Sequence, residues 1–321
     1  MNDFKATLAA EQERINQLLL AECDLMPESV RPVVEHTLKA GGKRLRPLLT
    51  VFMGQVFECR NADLDMLAVM SELVHMASLL HDDVYDNAGT RRGVASAHQI
   101  FGSVMAMLTG DVILGHAARQ VAKLNRADLV SCFAEAVYQT AAGEAAEIYT
   151  QGRVSLDYDS YMEVITGKTA WAFRAACEGA ALLAGAPQKT IDAAACFGLN
   201  LGIAFQIVDD ALDIAPEETT GKPAGGDIRE GKCTPPVHLY WKSLPQPEAD
   251  AFAQQFSSRK WTDDEVEKVV FAMREMNLDG LTREMSTRHV ESAVEALYEL
   301  PDTPGRELLF NVLDYLRERS F

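Results

Sequence analysis

The segment DLDMLAVMSELVHMASLLHDDVYD, residues 63–86, decides the fold class of this chain. Apolar side chains recur along it with the period of an α-helix, and a helix-breaking Asn-Ala-Gly sequence follows directly. Asp82 and Asp86 would lie one turn apart on one face of that helix, with Asp83 beside them. The segment therefore predicts a long helix that presents carboxylates at its C-terminal end.

The same acidic pattern occurs a second time. The apolar helical segment 188–214 contains Asp209, Asp210 and Asp213 at its end, and Pro216 follows. The negative end of a helix dipole disfavours carboxylates, and like charges one turn apart cost a further ~0.2–0.5 kcal/mol per pair. A cation would compensate this repulsion, and carboxylate oxygens suit Mg²⁺ that carries a diphosphate. The alternative interpretation is a solvated helix end in an acidic protein.

The composition indicates a globular protein and excludes several partner classes. Of the 321 residues, 48% are hydrophobic and 24% are charged, as in chains with a full core. A net charge of −17 argues against nucleic acid as a partner and against a basic membrane-docking surface. The six cysteines form no CxxC pair or metal-binding spacing, and residues 1–5 do not open a signal peptide. No apolar run is expected to span a membrane, so we expect a cytoplasmic protein without stable membrane insertion.

Helical periodicity dominates the whole chain, and runs of alternating β-branched residues are nearly absent. No linker of Ser and Gly and no charge run divides it. We therefore expect an all-α helical bundle forming a single domain over residues 1–321. Its helices are predicted at about 3–22, 28–39, 47–57, 63–86, 103–124, 127–150, 158–168, 169–185, 188–214, 234–243, 247–257, 262–276, 278–299 and 304–319.

Basic residues are concentrated in the glycine-containing segments that interrupt this helical pattern. They occur in GGKRLRP at residues 41–47, in residues 87–93 after the first acidic cluster, and in residues 221–232 after the second. Glycine leaves backbone N–H groups accessible to anions, and Lys or Arg adds charge. The pattern favours diphosphate binding, whereas the alternative is ordinary solvated loop cations.

Taken together, these blocks resemble the trans-isoprenyl diphosphate synthases, most closely the medium- and long-chain bacterial polyprenyl diphosphate synthases. The resemblance rests on GGKRLRP, HDDVYD followed by TRRG, and FQIVDDALD followed by GKPAGGDIREGK, in the family's order over about residues 40–240. It implies an all-α bundle of the isoprenoid synthase type with a central cavity. It also implies Mg²⁺-dependent, head-to-tail, trans condensation of isopentenyl diphosphate with an allylic diphosphate, with release of diphosphate, in a homodimer.

The resemblance also assigns roles to individual residues. About three Mg²⁺ ions per site would be held by the carboxylates of Asp82, Asp83, Asp86, Asp209, Asp210 and Asp213. The positions that contact the allylic diphosphate match Arg91, Lys168, Lys222 and Lys232. Those that hold isopentenyl diphosphate match Gly42, Lys43, Arg46, His75 and Arg92. Thr169 and Gln206 would face the allylic cation and Phe205 would line the site, while the departing pyrophosphate would accept the proton.

The length of the product is predicted from small residues on the first aspartate helix. Ser78 and Ala77 lie four and five positions before Asp82 and, with Val74 behind them, would leave the tail channel open. Residues 63–86 extend about 36 Å at ~1.5 Å per residue, enough for roughly six to eight isoprene units. We expect a product of about C25 to C40, and the alternative is a short-chain farnesyl or geranylgeranyl diphosphate synthase with a C15 or C20 product. A methionine or leucine of the next helix could close the channel sooner, at Met105, Met107 or Leu108, and close helix packing alone is the other explanation for the small residues.

Two other functional classes compete with this interpretation. Terpene cyclases and head-to-head synthases also ionise allylic diphosphates, but cyclases usually replace the second DDxxD motif, which is intact here. A non-catalytic partner subunit would usually lack the aspartates, and this chain keeps all six. An elongating synthase therefore fits the sequence best.

Overall fold

The computed structural model describes residues 2–155, 157–217 and 223–318, and it confirms the all-α fold. In chain order the helices are α1 Asn2–Cys23, α2 Arg31–Lys39, α3 Leu45–Val56, α4 Ala62–Tyr85, α5 Ala97–Phe101, α6 Ser103–Ala122, α7 Ala127–Thr150, α8 Tyr158–Ile165, α9 Trp171–Leu183, α10 Gln188–Leu212, α11 Gly226–Glu230, α12 Pro235–Ser243, α13 Gln246–Ser258, α14 Asp263–Glu275, α15 Leu278–Glu284, α16 Thr287–Tyr298 and α17 Pro304–Glu318. A π-helical turn, Thr166–Ala170, joins α8 to α9. The strands β1 Thr90–Arg91 and β2 Val94–Ala95 pair antiparallel.

The structure differs from the predicted elements mainly at short segments. The single helix expected over 278–299 is divided into α15 and α16, and the boundary expected at 168/169 is a continuous π turn. Helices α5 and α11 and the β1–β2 hairpin were not predicted, since each helix has only five residues and each strand only two. Helix α11 is delimited by Gly225 and Gly231, whose φ values of 80° and 72° favour glycine.

The chain folds into two compact units, each assembled from separate segments of the sequence. The first comprises Met1–Val137, Ala172–Gly198 and Ala296–Val312, and the second comprises Tyr138–Trp171, Leu199–Glu295 and Leu313–Phe321. A single domain over residues 1–321 stays a prediction. The first unit carries the first aspartate cluster, and the second unit carries the second.

Helix α4 is central to the first unit. It starts at the N-cap Asn61, whose side chain accepts a hydrogen bond from the backbone N–H of Leu64 at 2.9 Å. Leu73, Ala77 and Leu80 are at most 1% exposed on its packed face. Burial of this face fixes the rotation of the helix, and therefore the directions of the aspartates at its C-terminal end.

The second unit has its own apolar core beneath α11 to α14. Phe252 and Phe256 stack there with ring centroids 6.0 Å apart, and Ile214 and Ile228 are buried in the same cluster. The chain leaving α10 is also held by Arg274, which donates to the carbonyl of Ile214 and, at 2.7 Å, to that of Ala215. The segment that follows the second aspartate cluster is therefore anchored by apolar packing and by hydrogen bonds.

The expectation that no apolar run approaches the length of a membrane span needs correction. Within the described ranges, α4 and α10 are each long and apolar enough to cross a membrane by length and composition. Half of the apolar window of α4 and 61% of that of α10 are buried in the protein, and a core helix passes the same test.

A close approach of two glycines sets the position of the π turn. A Cβ atom on Gly143 of α7 would lie 2.6 Å from the carbonyl carbon of Gly167 in that turn. Contacts this short are not found for real Cβ atoms, so any larger residue would push the turn away from α7. The side chains of Lys168 and Thr169, which follow Gly167, would move with it.

Gly143→Ala is accordingly expected to lower the free energy of unfolding by about 1–3 kcal/mol through overpacking. The matched control is Gly179→Ala in α9, because a Cβ there meets nothing within 4 Å and alanine favours the helix. Urea denaturation of both variants measures the difference. Equal stability of the two would show that α7 and the π turn are not in close contact.

Candidate functional site

The first aspartate cluster divides its carboxylates between two environments. Asp83 is 4% exposed and accepts a hydrogen bond from Arg91 Nε at 2.8 Å, while Arg91 Nη2 contacts the same oxygen. Asp82 and Asp86 are partly exposed and lie one turn apart, with Asp86 capping α4. The sequence predicted that three carboxylates converge. In the structure Asp82 and Asp86 share one face, whereas Asp83 lies to the side and pairs with Arg91.

The basic loop before α3 and the basic hairpin after α4 meet within the first unit. Arg92, in the left-handed region at φ 53°, donates to the carbonyl of Gly41. A side chain at Gly42 would collide with the Arg92 guanidinium. Glycine at position 42 therefore permits the guanidinium to lie against the loop backbone, beside Lys43.

Arg46 and His75 complete this basic cluster. The Arg46 guanidinium lies 4.9 Å from the ring centroid of Phe173, and burial lowers the pKa of Arg46 to about 10. Burial, with Arg46 and Arg92 nearby, holds the pKa of His75 well below its usual value. A neutral imidazole among guanidinium groups is suited to an anionic ligand.

In the second unit a chain of hydrogen bonds fixes Asp210. Thr169 Oγ1 donates to Gln206 Oε1 at 2.8 Å, and Gln206 Nε2 donates to Asp210 Oδ1 at 2.8 Å. The hydroxyl of Tyr161 donates to Asp210 Oδ2 at 2.6 Å. The structure thus brings together the predicted residues Thr169, Gln206 and Asp210, whereas no motif marked Tyr161. Phe205, next to Gln206, is partly buried.

Negative charge accumulates around this chain of hydrogen bonds. Asp213 accepts hydrogen bonds from the backbone N–H groups of Gly226 and Asp227 at 3.0 and 3.1 Å. Burial raises the pKa of Asp210 to about 7 and that of Asp213 to about 6, and Asp209 adds to both shifts. Burial also raises the pKa of Asp227, and its buried Oδ2 has no hydrogen-bond partner.

Two predicted lysines of the second unit are held by glutamates. Lys168 Nζ lies 2.8 Å from Glu144 and 2.7 Å from Glu147. Lys232 Nζ lies 2.6 Å from Glu230 and 3.5 Å from Glu147. Burial would raise the pKa of Glu147, but the two ammonium groups outweigh it and lower that pKa. The sequence did not identify these glutamates as site residues, and the predicted Lys222 lies outside the described residues.

These carboxylates fit a divalent cation that also binds a ligand. Among the residues that the structure describes, no three His, Cys, Asp or Glu side chains converge to hold a metal ion by themselves. Mg²⁺ is usually bound by one or two carboxylates, with waters and substrate phosphates completing the shell. Asp82 and Asp86, one turn apart, provide such a pair. At the end of α10, Asp209 is exposed, whereas the buried Asp210 accepts hydrogen bonds at both carboxylate oxygens. The unpartnered Asp227 oxygen and the raised pKa values mark negative charge that a cation would compensate.

The predicted chain-length residues do not share one environment. Ala77 is completely buried, whereas Val74 and Ser78 are partly exposed, and the Ser78 hydroxyl donates to the carbonyl of His75 at 2.9 Å. On the next helix, Met105 is partly exposed, and Met107 and Leu108 are 48% and 52% exposed. An open path along α4 would therefore run past Ser78 and Val74, because Ala77 faces the packed core.

Known proteins share the sequence and fold over most of the chain. The polyprenyl synthetase family model matches residues 27–273. Octaprenyl diphosphate synthase of Escherichia coli is 31% identical over 97% of both proteins. A probable mitochondrial hexaprenyl pyrophosphate synthase of Yarrowia lipolytica is 34% identical over 79% of this chain, which spans 57% of that longer protein.

A solved structure shows the same relationship. The polyprenyl synthase of Caulobacter crescentus, complexed with calcium and isoprenyl diphosphate, superposes with a TM-score of 0.91 at 33% identity. The superposition covers 98% of this chain and 97% of that one. Both aspartate clusters and the basic loops thus occur within a fold and sequence pattern that known polyprenyl synthases share, and the chain belongs to the polyprenyl synthetase family.

Proposed function

We propose that this chain is a Mg²⁺-dependent prenyltransferase that condenses isopentenyl diphosphate with an allylic diphosphate, head to tail and in trans. The product is a polyprenyl diphosphate of about C25 to C40, and diphosphate is released. The observation that carries this proposal is the pair of aspartate clusters at the C-terminal ends of α4 and α10, each accompanied by cationic side chains. Hexaprenyl and octaprenyl synthases among the relatives support the product range.

The basic cluster of the first unit would bind isopentenyl diphosphate. Lys43, Arg46 and Arg92 supply positive charge, and the neutral His75 can donate one hydrogen bond to a phosphate oxygen. Arg46 and His75 are partly buried, and the Arg46 charge attracts an anion more strongly in a less polar surrounding. Gly42 allows the ligand and the Arg92 guanidinium to approach the loop backbone.

Ionisation of the allylic diphosphate would depend on both aspartate clusters. Asp82, Asp86, Asp209 and Asp210 would hold about three Mg²⁺ ions, which would supply positive charge to stabilise the leaving diphosphate. Asp83 and Asp213 would support these ligands through Arg91 and through the backbone of α11. The cations Arg91, Lys168 and Lys232 would bind the phosphate oxygens, and Lys222 remains a prediction of the same kind.

The chain also orients the reacting groups without a covalent enzyme intermediate. The Thr169–Gln206 hydrogen bond presents two side-chain dipoles in a fixed direction, which suits a developing allylic cation. The double bond of isopentenyl diphosphate then forms the new C–C bond, and a proton passes to the departing pyrophosphate. The protein's contribution is position, charge and exclusion of water.

The proposed enzyme is a homodimer in the cytoplasm. Helix α6 carries an exposed apolar group, Val104, Met107 and Leu108, with exposed fractions of 73%, 48% and 52%. Contiguous exposed apolar patches mark protein interaction sites, and we propose this group as part of the dimer interface. Sedimentation velocity at micromolar concentration should give twice the chain mass of 35.3 kDa, and a monomer would contradict the dimer.

Release of pyrophosphate tests the proposed activity and its metal dependence. Purified protein with isopentenyl diphosphate, farnesyl diphosphate and Mg²⁺ should release pyrophosphate, and EDTA should abolish release until Mg²⁺ is added in excess. Omission of isopentenyl diphosphate should stop the reaction. Release from the allylic diphosphate alone would instead indicate a cyclase.

A further inference from the structure

We propose that Arg44 and Glu72, together with Gln12 and Asn16 of α1, are positioning residues that hold the loop carrying Lys43 and Arg46 in place to bind isopentenyl diphosphate. The proposal rests on the function proposed above, because the ligand of the loop is the homoallylic substrate. It assigns a role to α1, where the sequence showed no motif.

Arg44 is a cation that is enclosed by the protein. It is 5% exposed, and its Nη1 lies 2.8 Å from Glu72 Oε1, with both side chains 4% exposed. Its Nε donates to Asn16 Oδ1 at 2.8 Å, and its Nη2 donates to the carbonyl of Leu38 at 3.2 Å. Three segments, α1, the end of α2 and α4, are therefore tied to one side chain of the loop.

Helix α1 contacts the loop at two successive residues. Gln12 and Asn16 lie one turn apart on the same face of α1. Gln12 Nε2 donates to the backbone carbonyl of Lys43 at 2.7 Å, and Asn16 accepts from Arg44. These two hydrogen bonds hold the Lys43 backbone and the Arg44 side chain against α1. The exposed Lys43 side chain therefore extends from a backbone that is held in place.

The backbone of Arg44 shows why the loop needs this support. Its φ of 51° and ψ of 37° lie in the left-handed region, which is unfavourable for a residue with a Cβ. The turn directs the chain into α3 at Leu45, so that Arg46 enters the first turn of the helix. The ion pair with Glu72 and the hydrogen bonds to Asn16 and Leu38 hold the guanidinium in the protein interior.

Glu72 also acts on the neighbouring cations. Its negative charge favours the protonated forms of Arg46 and Arg92, which repel each other, and Arg92 is also repelled by Arg44. Glu72 lies one turn before His75 on α4. Without this carboxylate, the cluster would lose the anion that pairs with Arg44 and that offsets the positive charge of Arg46 and Arg92.

The test compares Glu72→Gln and Asn16→Ala with the control Glu35→Gln, which removes an exposed ion pair to Lys39 on α2. Calorimetric titration with isopentenyl diphosphate, without primer, measures the dissociation constant. We expect it to rise about tenfold in Glu72→Gln and about threefold in Asn16→Ala, as for lost hydrogen bonds to a charged group. The KM of isopentenyl diphosphate should rise in parallel, while the KM of the allylic primer and kcat change less than twofold.

Each outcome decides the proposal. Unchanged affinity for isopentenyl diphosphate in folded variants would overturn it. An equal loss of affinity for isopentenyl diphosphate and for the allylic primer, with a lower melting temperature, would indicate a purely structural role and would also overturn the proposal. If Glu72→Gln does not fold, Asn16→Ala and Gln12→Ala decide by the same titration. If the wild type binds isopentenyl diphosphate but does not turn it over, the proposed function is contradicted. The titration of the variants still decides whether Arg44 and Glu72 position the loop.

Discussion

Alanine at Asp82 is expected to lower kcat about a thousandfold or more while leaving the protein folded. Asp82 and Asp86 form the carboxylate pair at the end of α4, and loss of one ligand would remove several kcal/mol of transition-state charge stabilisation. Each ~1.4 kcal/mol changes the rate tenfold. Asp209→Ala in the second unit should have an effect of the same order.

These variants should lose activity without losing stability. Asp82 is partly exposed at the negative end of a helix dipole, so its removal should leave the melting temperature unchanged or slightly higher. The matched control is Asp63→Ala in the first turn of the same helix, where the carboxylate is favourable. That variant should keep full kcat and lose up to about 1 kcal/mol of stability. Undiminished turnover of Asp82→Ala would refute the metal-binding assignment.

Ser78→Phe should shorten the product from about C25–C40 to about C15–C20. Ser78 is partly exposed, four residues before Asp82, so a phenylalanine there would extend into the path of the growing tail. Initial turnover with a short primer should remain, because Ser78 is not among the residues that we propose to bind diphosphate. Reversed-phase chromatography of the dephosphorylated products measures the change.

Ala77→Phe is the comparison variant, because it tests whether a residue of the packed core affects product length as a residue of the tail channel would. Ala77 is completely buried, so a phenylalanine there should destabilise the protein by about 1–3 kcal/mol or more through overpacking. Its product length should change less than that of Ser78→Phe. If Ser78→Phe still makes the wild-type product, the tail follows another route, and the partly exposed Met105 becomes the next position to test.

The features with long-range periodicity were predictable from the sequence. The apolar pattern of α4 and α10 predicted two long helices, and the aspartates end both of them as expected. The all-α class and the family are confirmed. Local pattern was sufficient because a helix is set by neighbours three and four residues away, and the order of the motifs identified the family.

Features that depend on distant contacts were not predictable in this way. Tyr161 reaches Asp210 across 49 residues, and Arg44 reaches Glu72 across 28. Neither contact leaves a spacing that a single sequence reveals. The same reason explains Glu147, whose contact with Lys168 depends on the packing of α7 against the π turn. The burial of Ala77 beside the partly exposed Ser78 likewise required the packed structure.

The most direct test of the proposed elongation is the size of its products. Purified protein is incubated with labelled isopentenyl diphosphate, Mg²⁺ and, in separate reactions, dimethylallyl, geranyl, farnesyl or geranylgeranyl diphosphate, and the extracted products are sized. We expect label in a ladder of trans-polyprenyl diphosphates that ends between about C25 and C40. Absence of label in any prenyl product with every primer would contradict the proposal that this chain elongates prenyl diphosphates.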